Sequence, residues 1–164
     1  MNQFLSNRGD SLVYQSCWDP SSSKQTTLLV THNQFRKNKR IAINISPAFH
    51  LNSSLIEHNL FESNKKGAIY VNNFDFVSNH FRYDEAGVHL FINDNYFTNN
   101  TGTFVANLGL NEFSSKQSIH FFKNVLKNNL INEPYPNLNP RSRVAAVVVI
   151  SSSNCFINRN NFIN

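Results

Sequence analysis

The stretch Asn33-Gln34-Phe35-Arg36-Lys37-Asn38 carries a pattern, Asn-x-Phe-x-x-Asn, that recurs along the chain. The pattern returns at residues 59–64 and 95–100 and, with leucine in the aromatic position, at 124–129. Another copy lies at 2–7, a sixth opens at Asn160, and a degenerate copy lies at 74–79. The clear copies are 26 to 36 residues apart. This period is typical of a solenoid with one supersecondary unit per turn.

Short strand-like segments flank the motifs. Apolar stretches at 41–45, 68–71 and 104–108 follow three motifs. Stretches at 27–31, 54–57, 88–92 and 118–122 precede the same three motifs and the motif at 124–129. They are rich in β-branched and aromatic residues and often alternate in polarity, as strands do. No sustained apolar pattern has helical spacing. Each unit is therefore predicted to be a strand, a turn, a Phe-bearing strand, a second turn and a third strand.

A stacked coil explains why both residue types repeat. Successive coils of a β-solenoid lie about 4.8 Å apart, so equivalent side chains form ladders. Phenylalanine fills the core, and asparagine amides at the corners satisfy each other's hydrogen bonds. The chain has 28 asparagines and five glycines, so asparagine is also expected to occupy the left-handed bends. The expected ladder positions are Asn33, Phe35, Asn38, Asn59, Phe61, Asn64, Asn95, Phe97, Asn100, Asn124, Leu126 and Asn129.

The sequence predicts an all-β fold: a right-handed parallel β-helix of about five to six coils with loop insertions. A β-sandwich with coincidental motifs is the alternative. Residues 1–164 are interpreted as one β-helix segment whose residues 1–26 form an irregular or imperfect first coil. Residues 132–143 are expected to form a Pro-rich loop, because proline cannot donate to a sheet ladder. A strand buried on both faces is expected at 144–150, and loops 79–87 and 132–143 are expected to contact partners.

The charge of the chain says little about its function. The net charge is +5 and the pI about 9.4, with basic residues dispersed at 36–40, 65–66 and 141–143. We interpret them as solvated loops, with a patch for nucleic acid or an anionic glycan as the alternative. No signal peptide is visible, and the last motif is cut short at Asn164. The chain is therefore expected to be a piece of a longer protein.

The acidic residues do not predict an enzyme. Only ten carboxylates are present, and Asp75, Asp84 and Asp94 are the candidates for a converging set. Neither a cofactor nor a metal site is expected, and His32 and His58, which each precede a motif asparagine, are interpreted as a stacked pair. A carbohydrate-binding or carbohydrate-cleaving β-helix remains the alternative function.

Covalent modification offers a few further candidates. Three sequons are present, at Asn52, Asn44 and Asn99. Asn52 is favoured, because Pro47 follows the Asn44 sequon and stacking is expected to bury Asn99. Cys17 and Cys155 should lie about five coils, or roughly 20–25 Å, apart, too far for a disulfide.

The motif resembles that of the parallel β-helix repeat superfamily, which includes pectate lyases. Residues 95–100, 105–110 and above all 140–154 more closely resemble the bark beetle (Anakonda) family of large animal single-pass membrane proteins. This resemblance, judged over residues 27–164, implies an extracellular structural role at epithelial junctions, tricellular or septate, without enzyme activity or cofactor. The implied partners are junctional proteins and the rest of a longer chain, with no nucleic acid and no direct membrane contact.

Overall fold

The computed structural model describes residues 1–14, 27–45, 53–72, 88–109, 117–132, 148–151 and 154–163. Over these residues the chain is all-β, contains no helix and builds only parallel sheets. The all-β prediction is therefore confirmed for the described part. Nothing there forms a helix long and apolar enough to cross a membrane.

Each Asn-x-Phe-x-x-Asn copy forms a three-residue strand, and these strands pair into one sheet, which we call the motif sheet. Phe35 aligns with Phe4 on one side and with Phe61 on the other, and Phe97 follows Phe61 in the same register. The strands, in spatial order, are β1 (Gln3–Leu5), β4 (Gln34–Arg36), β7 (Leu60–Glu62), β10 (Tyr96–Thr98), β14 (Val125–Lys127) and β18 (Asn161–Ile163).

Two further five-stranded sheets come from the segments on either side of the motifs. The post-motif sheet contains β2 (Leu12–Tyr14), β5 (Ile43–Ile45), β8 (Ile69–Asn72), β12 (Ala106–Gly109) and β16 (Val148–Ser151). The pre-motif sheet contains β3 (Leu29–Thr31), β6 (Ser53–Glu57), β9 (His89–Asn93), β13 (Ser118–Phe122) and β17 (Asn154–Asn158). A small additional pair joins β11 (Thr101–Gly102) to β15 (Leu130–Ile131).

The chain visits the three main sheets in a constant cyclic order. A motif strand is followed by a post-motif strand and then by a pre-motif strand, and every return adds one parallel neighbour to each sheet. The register places like on like, as for Ile43 with Ile69 and Ile56 with Ile92. This arrangement fits the predicted β-helix, in which one cycle corresponds to one coil.

The core is formed by the inward side chains of all three sheets. Along Ser53–Glu57 burial alternates, with Ser54 and Ile56 buried and their neighbours more accessible. The largest fully buried side chains include Phe35, Phe61 and Phe97. Burying each such ring stabilises the fold by about 1.5–3 kcal/mol, so the aromatic position of the motif is a major source of core stability.

Several predicted segments are placed only in part. Within 1–26, β1 and β2 take the end positions of two sheets, while 15–26 lie outside the described residues. Val148 and Ile150 are half-buried instead of buried, since β16 is the end strand of its sheet among the described strands. The degenerate motif at 74–79, loop 79–87 and residues 133–147 also lie outside the described residues.

Candidate functional site

The first asparagine of each motif belongs to a continuous hydrogen-bonded ladder. In each step one Oδ1 accepts two bonds from the asparagine of the preceding coil, one from its backbone N–H and one from its Nδ2. For Asn59 and Asn95 these distances are 3.0 and 3.1 Å, and Asn59 Nδ2 also donates to the Val30 carbonyl at 2.8 Å. The ladder runs through Asn2, Asn33, Asn59, Asn95, Asn124 and Asn160.

The second asparagine of each motif forms a parallel ladder of the same kind. Here Nδ2 donates to the carbonyl of the motif phenylalanine in the preceding coil, as from Asn64 to Phe35 at 2.9 Å. Side-chain amides link Asn38, Asn64, Asn100 and Asn129. Each interior amide therefore uses its acceptor and both donors, which neither a carboxylate nor a hydroxyl could do.

With the exception of Lys66, the described non-glycine residues in the left-handed region each lie one residue before a ladder asparagine. This corrects the expectation that the ladder asparagines themselves adopt that conformation. His32 and His58 precede the first asparagine of their motifs and have φ of 55° and 53°. The same holds before every other described ladder asparagine from Asn7 onward, at Ser6, Lys37, Ser63, Asp94, Asn99, Lys123, Asn128 and Arg159. The ladder positions therefore require asparagine for its hydrogen bonds, while the residue before each asparagine forms the tight bend.

A stack of phenylalanine rings lies inside the coils between the two ladders. The ring centroids of Phe4 and Phe35 are 4.6 Å apart, those of Phe35 and Phe61 5.1 Å, and those of Phe61 and Phe97 4.8 Å. All three pairs are within 7° of parallel. Leu126 continues the column in register with Phe97. These side chains fill the core and leave no reactive group exposed on that column.

The outward face of the pre-motif sheet carries a second, external aromatic stack. His120 lies between Phe91 and Phe156, with ring centroids 4.6 Å from both. Ser118 Oγ lies 3.0 Å from His120 Nε2 and 2.8 Å from His89 Nδ1. Burial in this stack, with a contribution from the charge of His89, lowers the pKa of His120. We call Phe91, His120 and Phe156 the outer stack; nothing in the motif predicted it.

A shallow hollow of about 270 Å³ lies beside the outer stack. Its walls combine aromatic rings with two cationic side chains, contributed by β13, β17 and the bends that follow them. The lining residues are His120, Phe122, Lys123, Phe156, Asn158 and Arg159.

The bend before the first ladder brings titratable residues into one column. His32 and His58 have ring centroids 4.9 Å apart and are tilted by 38°. Asp94 and Lys123 occupy the equivalent bends of the next two coils. Among the described residues no group of three or more His, Cys, Asp or Glu side chains is placed to hold a metal ion. Asp75 and Asp84 lie outside the described residues, so their distance from Asp94 is not part of this geometry.

The sequons differ in accessibility. Asn99 is exposed, because it occupies a left-handed bend that turns its side chain outward, so the expectation that stacking buries it is wrong. Asn44 is half-buried and donates to Asp10 Oδ2 at 2.8 Å. Asn52 lies outside the described residues, as does Cys17. Cys155 is an exposed free thiol, and partial desolvation raises its pKa.

Comparison with known proteins identifies one relative in particular. The chain is similar to Protein bark beetle of Drosophila melanogaster. The two are 35% identical over an alignment 176 positions long, which covers 97% of this chain. The similarity therefore extends beyond residues 27–164, over which the sequence motifs suggested it. The chain spans about 6% of the length of Protein bark beetle. No family model matches the chain, and no solved structure does.

Proposed function

We propose that this chain is a non-enzymatic structural and protein-interaction module, a right-handed parallel β-helix segment of a bark beetle-type extracellular protein. Its place would be the outer face of epithelial cells at tricellular or septate junctions. Its partners would be other junctional proteins and neighbouring coils of a longer polypeptide. The module requires no cofactor in this proposal.

The observation that carries the proposal is the continuity of the ladders. The first ladder links six motif strands without a missing step, from Asn2 to Asn160. Because every interior amide is fully bonded to both neighbouring coils, bending or sliding one coil would break several buried hydrogen bonds at once. Such a segment holds outward side chains and loops at fixed spacing along an axis, which suits a spacer that presents contact surfaces.

The junctional part of the proposal is supported by the similarity to Protein bark beetle over 97% of the chain. It is tested by a chimera in which this chain replaces the matching segment of that protein. We expect the chimera to reach the plasma membrane and to concentrate where three cells meet. A matched chimera with Asn64→Ala and Asn100→Ala, which breaks one ladder, should be depleted there. An intact, surface-exposed chimera spread evenly over the membrane would contradict the proposal.

A direct assay distinguishes the proposed non-enzymatic module from the alternative, a carbohydrate-cleaving β-helix. The purified chain is incubated with pectin, polygalacturonate and chitin, with and without calcium, and the products are examined for new reducing ends and unsaturated sugars. We expect none above a heat-denatured control. Turnover that is lost on substitution of Asp75, Asp84 or Asp94 would establish the enzyme and overturn the structural module.

A further inference from the structure

Six exposed cationic side chains gather at the corner between the motif sheet and the post-motif sheet. Two of the three basic groups of the sequence, 36–40 and 65–66, are exposed to solvent and lie on adjacent coils. Each of the six side chains lies within two residues of a second-ladder asparagine. We call this surface the basic corner; it consists of Arg8, Lys37, Lys39, Arg40, Lys65 and Lys66.

The second ladder fixes the spacing of three of these cations. The Lys39 backbone N–H donates to the Asn7 carbonyl at 2.8 Å, and the Lys65 N–H donates to the Asn38 carbonyl at 2.8 Å. Arg8, Lys39 and Lys65 each follow a ladder asparagine directly, so they occupy one position on three successive coils. At the strand spacing of about 4.8 Å, this forms a line of one cation per coil.

The basic corner has a defined end. On the next two coils the position of Arg8, Lys39 and Lys65 is taken by Thr101 and Leu130, which carry no charge. The change produces a local positive surface instead of a uniformly basic solenoid.

On the described parts of the same coils, three carboxylates each have a polar partner. Glu62 pairs with Arg36 on the outward face of the motif sheet, and Asp10 accepts a hydrogen bond from Asn44. Glu57 accepts one from Asn93 on the pre-motif sheet. The six exposed cations of the basic corner outnumber these three carboxylates, so this surface carries a net positive charge, which attracts polyanions.

We infer that the basic corner binds a sulfated glycosaminoglycan chain. A linear polyanion matches a line of cations at regular spacing, and Lys and Arg donate charge-assisted hydrogen bonds to sulfate oxygens. Single-stranded nucleic acid is disfavoured because the six residues include no aromatic ring on which bases could stack. The choice of an extracellular polyanion rests on the proposed function.

The test measures binding of the full chain to immobilised heparin at physiological ionic strength. The corner variant is Arg8→Gln/Lys39→Gln/Lys65→Gln, and the control is Lys123→Gln/Lys127→Gln/Arg159→Gln, which removes the same net charge from other surfaces. We expect Kd to rise about tenfold for the corner variant, the combined effect of three exposed ion pairs, and by less than about twofold for the control. Equal losses in both variants, or no binding by the unaltered chain, would overturn the inference.

Competition identifies the chemistry of the ligand. Heparin and dermatan sulfate in solution should displace the bound chain, whereas desulfated heparin should not. Stronger displacement by a DNA duplex at equal charge concentration would overturn the glycan assignment. This binding is measured on the purified chain, so its failure is independent of the chimera's position at cell junctions.

Discussion

Asn64 Oδ1 accepts two hydrogen bonds from Asn38, one from the backbone N–H at 3.2 Å and one from Nδ2 at 2.7 Å. Both residues are fully buried. Asn64 in turn donates to Asn100 and to the Phe35 carbonyl. A single side chain thus connects three coils, and the pair defines the repeating step of the second ladder.

Removing this amide should be costly. Asn64→Ala removes the acceptor of two Asn38 hydrogen bonds, one from the buried backbone N–H and one from Nδ2, together with the side-chain donor to the Phe35 carbonyl. We expect a loss of about 3 kcal/mol in the free energy of unfolding. Urea denaturation provides the measurement, and Asn161→Ala, at an exposed strand position, should cost less than about 0.5 kcal/mol. The double variant Asn38→Ala/Asn64→Ala should lose less than the sum of the single variants. Strict additivity would show that the two side chains do not interact.

The left-handed bends give a prediction about backbone conformation. Lys123 has a φ of 55°, a region that β-branched residues strongly avoid. Lys123→Val should therefore destabilise the chain by about 1–2 kcal/mol, and Lys123→Gly should be close to neutral. Lys127 is also exposed but lies in strand β14, where valine is favourable. If Lys127→Val were as destabilising as Lys123→Val, as judged by thermal unfolding, the conformational explanation would be rejected.

Two glycines should respond in opposite ways to an added methyl group. Gly102 has a φ of 139°, and a Cβ there would lie 2.7 Å from the Lys66 backbone. Gly102→Ala should destabilise the fold by about 2 kcal/mol or more, through strain and a displaced coil. No atom lies within 4 Å of the corresponding Cβ at Gly9, so Gly9→Ala should be neutral or slightly stabilising. Calorimetry on both variants checks this, and similar losses would contradict it.

The outer stack predicts a pH dependence. Burial and the charge of His89 lower the pKa of His120, so the unfolded chain takes up a proton there at a higher pH than the folded chain does. Protons therefore favour unfolding, and stability falls as the pH decreases through the ordinary histidine pKa of about 6.5. Between pH 8 and pH 5, the free energy of unfolding should therefore decrease more for the unaltered chain than for the His120→Phe variant. Parallel stability curves would contradict this assignment.

Much of the fold could be predicted from the sequence, because the repeated motif indicates it directly. The pattern Asn-x-Phe-x-x-Asn repeats with no change in its internal spacing, so stacking in register was the simplest way to bury Phe35, Phe61 and Phe97 together. The alternation of polarity on either side of the motif predicted the flanking strands. Local hydrophobic pattern and side-chain hydrogen-bonding capacity were sufficient for these conclusions.

The outward surfaces could not be predicted from the sequence in the same way. The segments between motifs vary in length, so the sequence does not show that His120 aligns with Phe91 and Phe156, or that Asn99 faces solvent. The sequence contains one indication of the basic corner, because Arg8, Lys39 and Lys65 each follow a second-ladder asparagine. This indication can be interpreted only once the coils are known to stack in register.

The sequence by itself therefore determined the repeating unit, the all-β class and the inward residues, because hydrophobic burial and amide pairing act on each motif locally. Only the tertiary structure decided which residue adopts the left-handed bend and which exposed side chains share a surface. These outcomes depend on hydrogen bonds between coils, which connect residues about 26 to 39 positions apart in the chain. The second ladder thus aligns both the stacked phenylalanine rings and the basic corner. The phenylalanines can be recognised within each motif, whereas the basic corner can be recognised only when successive motifs are compared.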